Sequence, residues 1–196
     1  LCNFTTQLTV AAGVALKLIG NGTVPTVLSG MKTTRFFDVL GQLTLMDLIL
    51  QDGKGSYGGA FFVESVGSRL HLIRSIVQRC VAFAYGGAGY LNTGAVLLME
   101  NSTLKSNEGR YGGGIMAEGG SLVKVVVGSA SFIHGNRASA HGGGVYLEDR
   151  KTRLAVNGSG SLLVVSGNTA ETAGGPGPGD HTLTPPLASA RPNGDM

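Results

Sequence analysis

LKSNEGRYGGGIMA, residues 104–117, and IHGNRASAHGGGVYL, residues 133–147, are two versions of one phrase. In each, an aliphatic residue (Leu104, Ile133) stands three positions before an asparagine (Asn107, Asn136). In each, a ring (Tyr111, His141) directly precedes a glycine pair. Working outward, the phrase recurs upstream as Ile49, Asp52 and Tyr57-Gly58-Gly59, then as Val77, Cys80 and Tyr85-Gly86-Gly87. A degraded copy follows downstream as Val165, Asn168 and Ala173-Gly174-Gly175. The first glycines of the five copies stand 28, 26, 30 and 32 residues apart. Self-similarity at such an interval is the mark of a repeat architecture.

Glycine pairs alone would not establish this. With 33 glycines in 196 residues, about five or six adjacent pairs arise by chance, and high Gly content by itself only hints at loops. The phasing carries the case, because in every copy the aliphatic stands three residues before the small polar residue and the glycine pair follows it by five or six.

Upstream of each polar marker lies a β-like run. Leu43 and Leu45, Leu70 and Leu72, Val96 and Leu98, Val125 and Val127, and Leu154 and Val156 alternate with other residues. Period-2 alternation bounded by Gly, Asn and Ser reads as strand. No segment keeps a helical i, i+3, i+4 pattern. Units of 26–32 residues, each with two or three strands and no crossover helix, predict an all-β, right-handed parallel β-helix of five to seven coils. A single coil cannot bury its inward face, so stability must come from stacking. The glycines suit corners. Asp52, Cys80, Asn107, Asn136 and Asn168 are expected to stack as an internal ladder, each amide bonding the next. Residues 1–40 read as irregular N-terminal coils, 41–175 as the regular β-helix, and the Pro/Gly-rich 176–196 as a disordered tail.

The paired motifs resemble the repeats of chlamydial polymorphic outer membrane proteins, which carry FxxN and GGAI, and of related β-helical surface proteins, including extracellular proteins of green algae. Asn107 with Gly112 to Ile115, and Asn136 with Gly142 to Val145, carry the likeness most fully. No copy keeps Phe three residues before Asn; Phe132 stands four before Asn136. The resemblance implies a pectin-lyase-like β-helix on a secreted or surface-exposed protein used in adhesion.

Composition adds limits. Apolar content of 42% and a mean hydropathy of +0.20 exclude global disorder. The net charge of +3 is modest. The basic trio Arg150, Lys151 and Arg153 has no interleaved aromatics, which argues against nucleic acid. No run reaches the roughly 18 apolar residues of a spanning helix, so direct membrane insertion by this segment is not expected. The chain opens on Leu1 without a charged leader and reads as part of a longer protein. Cys2 and Cys80 fall on separate coils, too far apart for a disulfide. Asn3, Asn21, Asn101 and Asn157 each begin an Asn-x-Ser/Thr sequon and are candidate glycan acceptors in a secreted eukaryotic protein.

Chemistry is sparse. A lyase or hydrolase on this fold would need clustered carboxylates. Asp47 with Asp52, and Glu148 with Asp149, come nearest to pairs, but sequence neighbours on a strand diverge. His71, His134, His141 and His181 show no metal spacing. No catalytic residue, metal or cofactor is expected. Tyr57, Tyr85, Tyr111 and His141 share one repeat position and form a candidate contact strip if they stack. The longest interval, Glu148 to Gly160, is the candidate specificity loop. The expectation is a non-catalytic adhesive or binding stalk, extracellular or on the cell surface, engaging glycans or proteins there. The alternative is a fragment of a polysaccharide lyase or glycoside hydrolase.

Overall fold

The structure, a computed structural model, describes residues 1–156 and 158–171. The tail 176–196, His181, the fifth glycine pair and the Asn157 sequon lie outside them. The described chain is all-β, with parallel sheets stacked as a β-solenoid of about six turns and coils of about 27 residues. Each regular coil contributes four short strands, where the sequence pattern predicts two or three. In the third coil these are Phe61–Glu64, Arg69–Ile73, Ile76–Gln78 and Val81–Tyr85. The chain then turns at Gly86-Gly87 and re-enters the first face at Gly89–Asn92.

Four parallel sheets result, of six, six, seven and five strands. We call them the Phe61, Arg69, Ile76 and Val81 sheets. The five-stranded Val81 sheet begins only at Lys54. In residues 1–40 the other three sheets are already in register, with Cys2 opposite Leu28, Leu8 opposite Phe37 and Ala15 opposite Gln42. The opening coils are therefore irregular on one face only.

Register puts like on like. Leu43, Leu70, Leu97 and Val123 lie one above another in the Arg69 sheet, all fully buried. Leu50, Val77, Leu104 and Ile133 do the same in the Ile76 sheet. Burying one such side chain stabilises the fold by about 1.5–3 kcal/mol. In the fourth coil the buried pair is Leu97 and Met99, and Val96 and Leu98 face outward, the reverse of the alternation expected. The run VLLME is apolar at both parities, so pattern alone does not choose the face. Likewise Val125 points inward while Val127 is exposed.

The polar ladder runs along the turn from the Ile76 sheet to the Val81 sheet. Asn107 Nδ2 donates to Asn136 Oδ1, and Asn136 Nδ2 to Asn168 Oδ1, both at 2.9 Å. Each Oδ1 also accepts the backbone N–H of the preceding rung, from Cys80, Asn107 and Asn136 in turn. Each Nδ2 also donates to the carbonyl of the preceding coil's inward aliphatic, namely Val77, Leu104 and Ile133. The aliphatic-x-x-Asn spacing exists because that carbonyl is one of the amide's acceptors.

Asp52 is not a rung of this ladder. In its coil the spacing fits two registers, Ile49 to Asp52 and Leu50 to Gly53. Burial selects the second: Leu50 is fully buried and pairs with Val77, while Ile49 pairs with Ile76 and faces outward. Val81 N donates to Gly53 O just as Glu108 N donates to Cys80 O. Gly53 is the rung, and Asp52 occupies the preceding left-handed turn position (φ 57°), level with Arg79 and Ser106 (both φ 53°). A second ladder has no counterpart in the sequence reading. Buried Ser75, Ser102 and Ser131 stack five residues before Cys80, Asn107 and Asn136. Ser75 N donates to Ser102 Oγ at 3.1 Å, and Ser102 N to Ser131 Oγ at 3.2 Å.

Candidate functional site

The glycine pairs make the corner between the Val81 and Phe61 sheets. Gly58, Gly86, Gly112 and Gly142 all have φ between 64° and 67°. A Cβ on Gly86 would lie 1.9 Å from Gly89 O, and one on Gly87 would lie 2.1 Å from Gly113 O. Only glycine fits so tight a corner.

This corner is re-entrant. Rings from the outer faces of the two sheets meet across it, which requires those faces to turn toward each other. On the Val81 side, Tyr57, Tyr85, Tyr111 and His141 stack coil upon coil with ring centroids 5.4, 5.7 and 5.7 Å apart. On the facing side, Phe62, Tyr90, Met116 and Tyr146 form the matching row. Phe62 and Tyr90 stack at 5.0 Å, Tyr85 meets Tyr90 at 5.4 Å, and Tyr111 meets Tyr146 at 5.7 Å. The sequence strip is thus one wall of an aromatic groove along the solenoid axis. Tyr57 remains 45% exposed, whereas Tyr90 is 4% exposed and lies at the base. Arg35 stands over Phe62 and Arg110 over Tyr111, each 5.4 Å from the ring centroid.

Beyond the second row lies an acidic column. Glu64, Asn92, Glu118 and Glu148 each fall six residues after the first glycine of a pair. Glu118 and Glu148, on successive coils, are hydrogen-bonded to each other. The Tyr90 hydroxyl donates to Glu118 Oε1. The bond to Glu118, with burial and the charges of Glu118 and Asp149, pushes Glu148 up to about 7. A neighbouring like charge disfavours the ionised form of Glu148. Burial and the same glutamate push the Tyr90 phenol up. This pair was the part that sequence reasoning missed, although extending the repeat phrase by four residues would have aligned it.

Asn92, Glu118, Gly119, Gly120, Glu148, Asp149, Arg150 and Lys151 line an open depression of about 660 Å³ at this end of the groove. The expected specificity loop therefore begins on its rim. Glu148 and Asp149 lie past the end of the Val145–Leu147 strand, where strand alternation does not apply, and Asp149 shapes the loop. It accepts bonds from the Thr152 hydroxyl and from the backbone N–H of Gly120, Lys151 and Thr152. The Thr152 bond, with those backbone bonds, holds it down to about 2.

Other sequence candidates lie elsewhere. Asp47 and Asp52 do not form a pair: each makes a two-pronged bond to an arginine of the next coil, Arg74 at 2.8 Å and Arg79 at 3.0 Å. His71 lies 3.3 Å from Glu100 on the Arg69 sheet. His134 sits on the Ile76 sheet, and Arg153 on the Arg69 sheet, away from Arg150 and Lys151. Among the described residues no group of three or more His, Cys, Asp or Glu could hold a metal ion. Among them, too, no helix is long and apolar enough to cross a membrane. Both cysteines are free, with Cys2 exposed and Cys80 buried; burial pushes the Cys80 thiol up to about 12. Asn3, Asn21 and Asn101 are all exposed. The Thr23 hydroxyl of the second sequon donates to Asn21 Oδ1 at 2.9 Å.

Fold and site together define a parallel β-solenoid with an axial aromatic groove flanked on its last two coils by Glu118 and Glu148. No family model, curated protein or solved structure matches the chain.

Proposed function

We propose that the chain is a non-catalytic binding stalk, extracellular or at the cell surface, whose groove holds a glycan chain. The carrying observation is the row of four rings at coil spacing, faced across the corner by Phe62, Tyr90, Met116 and Tyr146. Sugar rings offer apolar faces and polar edges, which suit aromatic walls beside a carboxyl rim. A repeated site along one axis gains by avidity when the ligand is a polymer. The likeness of Asn107 with Gly112 to Ile115, and of Asn136 with Gly142 to Val145, to surface-protein repeats supports the same reading.

A glycan array on the purified chain tests it. Binding to at least one polysaccharide class is expected, weakened about tenfold or more by Tyr85→Ala, or about 1.4 kcal/mol. No bound glycan, or binding indifferent to Tyr57→Ala, Tyr85→Ala and Tyr111→Ala, would remove the reading.

The second reading, a glycoside hydrolase, draws on the upward shift of Glu148 beside Glu118, since a general acid needs a raised pKa. The geometry favours it less. Retaining enzymes hold their carboxyls about 5–5.5 Å apart and inverting ones about 6.5–9.5 Å, whereas Glu118 and Glu148 are in direct hydrogen bond. Release of reducing ends from a polysaccharide, abolished by Glu148→Gln, would favour the hydrolase.

A further inference from the structure

All five tyrosines of the chain stand in one cluster. Tyr57, Tyr85 and Tyr111 belong to one wall of the groove, and Tyr90 and Tyr146 to the other. Each has another tyrosine ring centred 5.4–5.7 Å away. The chain has no tryptophan to compete with them for an oxidant. We propose that the cluster is an oxidative modification site. There a peroxidase with hydrogen peroxide joins Tyr57 to Tyr85 as dityrosine, a covalent clip between successive coils. The site does not depend on a glycan in the groove.

Geometry selects the pair. Tyr57 is the most exposed of the five, at 45%, so its phenol is the one an external oxidant reaches. Its ring is centred 5.4 Å from that of Tyr85, with the planes 49° apart. Two phenols joined ring to ring are twisted about the new bond, so this tilt already suits the product. Tyr90 lies as near to Tyr85. It is 4% exposed, however, stacked on Phe62 at 5.0 Å and tied through its hydroxyl to Glu118, so it is not free to swing into a new bond. Tyr111 is farther from Tyr85, at 5.7 Å, and nearer edge-on at 66°. Tyr111 and Tyr146, 5.7 Å apart, are both half-buried, with less access to an oxidant.

One peroxide is consumed per link. The peroxidase takes an electron and a proton from Tyr57. The Tyr57 radical regains both from Tyr85, and a second oxidation of Tyr57 leaves both residues as phenoxyl radicals. The carbons ortho to the two oxygens pair their electrons in a C–C bond. The hydrogen on each of those carbons moves to oxygen and restores the phenols. The two electrons and two protons removed convert the peroxide to two waters.

Treatment of the whole chain, in dilute solution, with a haem peroxidase and hydrogen peroxide tests the site. Dityrosine fluorescence should appear in the monomer, with a loss of two hydrogens in mass. Tandem mass spectrometry of a digest should place the link between Tyr57 and Tyr85. Tyr57→Phe and Tyr85→Phe, which keep the rings, should each abolish it, and Tyr111→Phe should leave it. The link closes a loop of 28 positions, so the linked monomer should melt at least about 5 °C higher than the unlinked chain. A link at any other pair, dityrosine confined to dimers that survive a thiol reductant, or no dityrosine at all overturns the assignment. A linked monomer that melts no higher overturns the clip.

Discussion

Residue by residue, the interior of this solenoid is decided by amides whose every bond is met from a neighbouring coil. Asn136 accepts from both Asn107 N and Asn107 Nδ2 through one oxygen, and donates to Leu104 O and Asn168 Oδ1. Asn136→Ala removes that acceptor and strands two buried donors, each worth about 1–3 kcal/mol when unsatisfied. A loss of about 3 kcal/mol or more in urea denaturation is expected. Asp52→Ala is the matching control. Its partner Arg79 is half exposed, exposed ion pairs contribute about 0–1 kcal/mol, and alanine fits the left-handed turn (φ 57°) less well than aspartate, so the change should cost about 2 kcal/mol at most. Equal costs for the two substitutions would return Asp52 to the ladder and displace Gly53 as its rung. Their phases were indistinguishable in the sequence, since Ile49 and Leu50 are both apolar. Only the buried column of Val77 and Leu104 shows which of them points inward.

The elements are short, so corners rather than strands carry the information. Strands of two to five residues contain too few alternations to fix a face where both parities are apolar, as Val96–Glu100 shows. The corners were legible because the glycine positions tolerate nothing else. Gly86→Ala meets both a left-handed backbone (φ 65°) and an oxygen 1.9 Å from the new Cβ. Strain plus displacement of a neighbouring strand should cost more than about 3 kcal/mol. Gly13→Ala shares the left-handed backbone (φ 78°) but meets nothing within 4 Å, and should cost about 1–2 kcal/mol. Thermal melts of the two variants compare crowding with conformation alone; equal shifts would mean that the corner can relax. The same corner explains the uneven reading of the site. One wall was visible because its rings directly precede the glycines, while the facing wall was hidden by the re-entrant turn. That turn brings Tyr85 against Tyr90, five residues away on the next sheet.

At the scale of the whole molecule, stacking places acids from successive coils together, and this writes a pH dependence into stability. Folding raises Glu148 from an ordinary carboxyl value to about 7, through the Glu118 bond first and burial second. Between about pH 4.5, the unfolded range, and pH 7, the folded chain therefore holds more proton than the unfolded chain. Unfolding free energy must then fall as pH rises through that window. Asp149 runs the other way: held down to about 2 by the Thr152 hydroxyl and backbone N–H groups, it adds stability above its unfolded pKa. That contribution is lost as pH falls from about 4 toward 2. The two windows do not overlap, so Asp149 contributes a rise in melting temperature from pH 2 to about 4 and Glu148 a decline from about 4.5 to 7, the decline opposed by His71, which burial holds below its ordinary value. Glu148→Gln keeps a neutral donor toward Glu118 and cannot ionise, so it should flatten the upper limb and leave the lower one. Asp149→Asn should shrink the lower limb, to which Asp47 beside Arg74 also contributes, and leave the upper. An upper limb unchanged in Glu148→Gln would mean that Glu148 does not hold the proton in the folded chain.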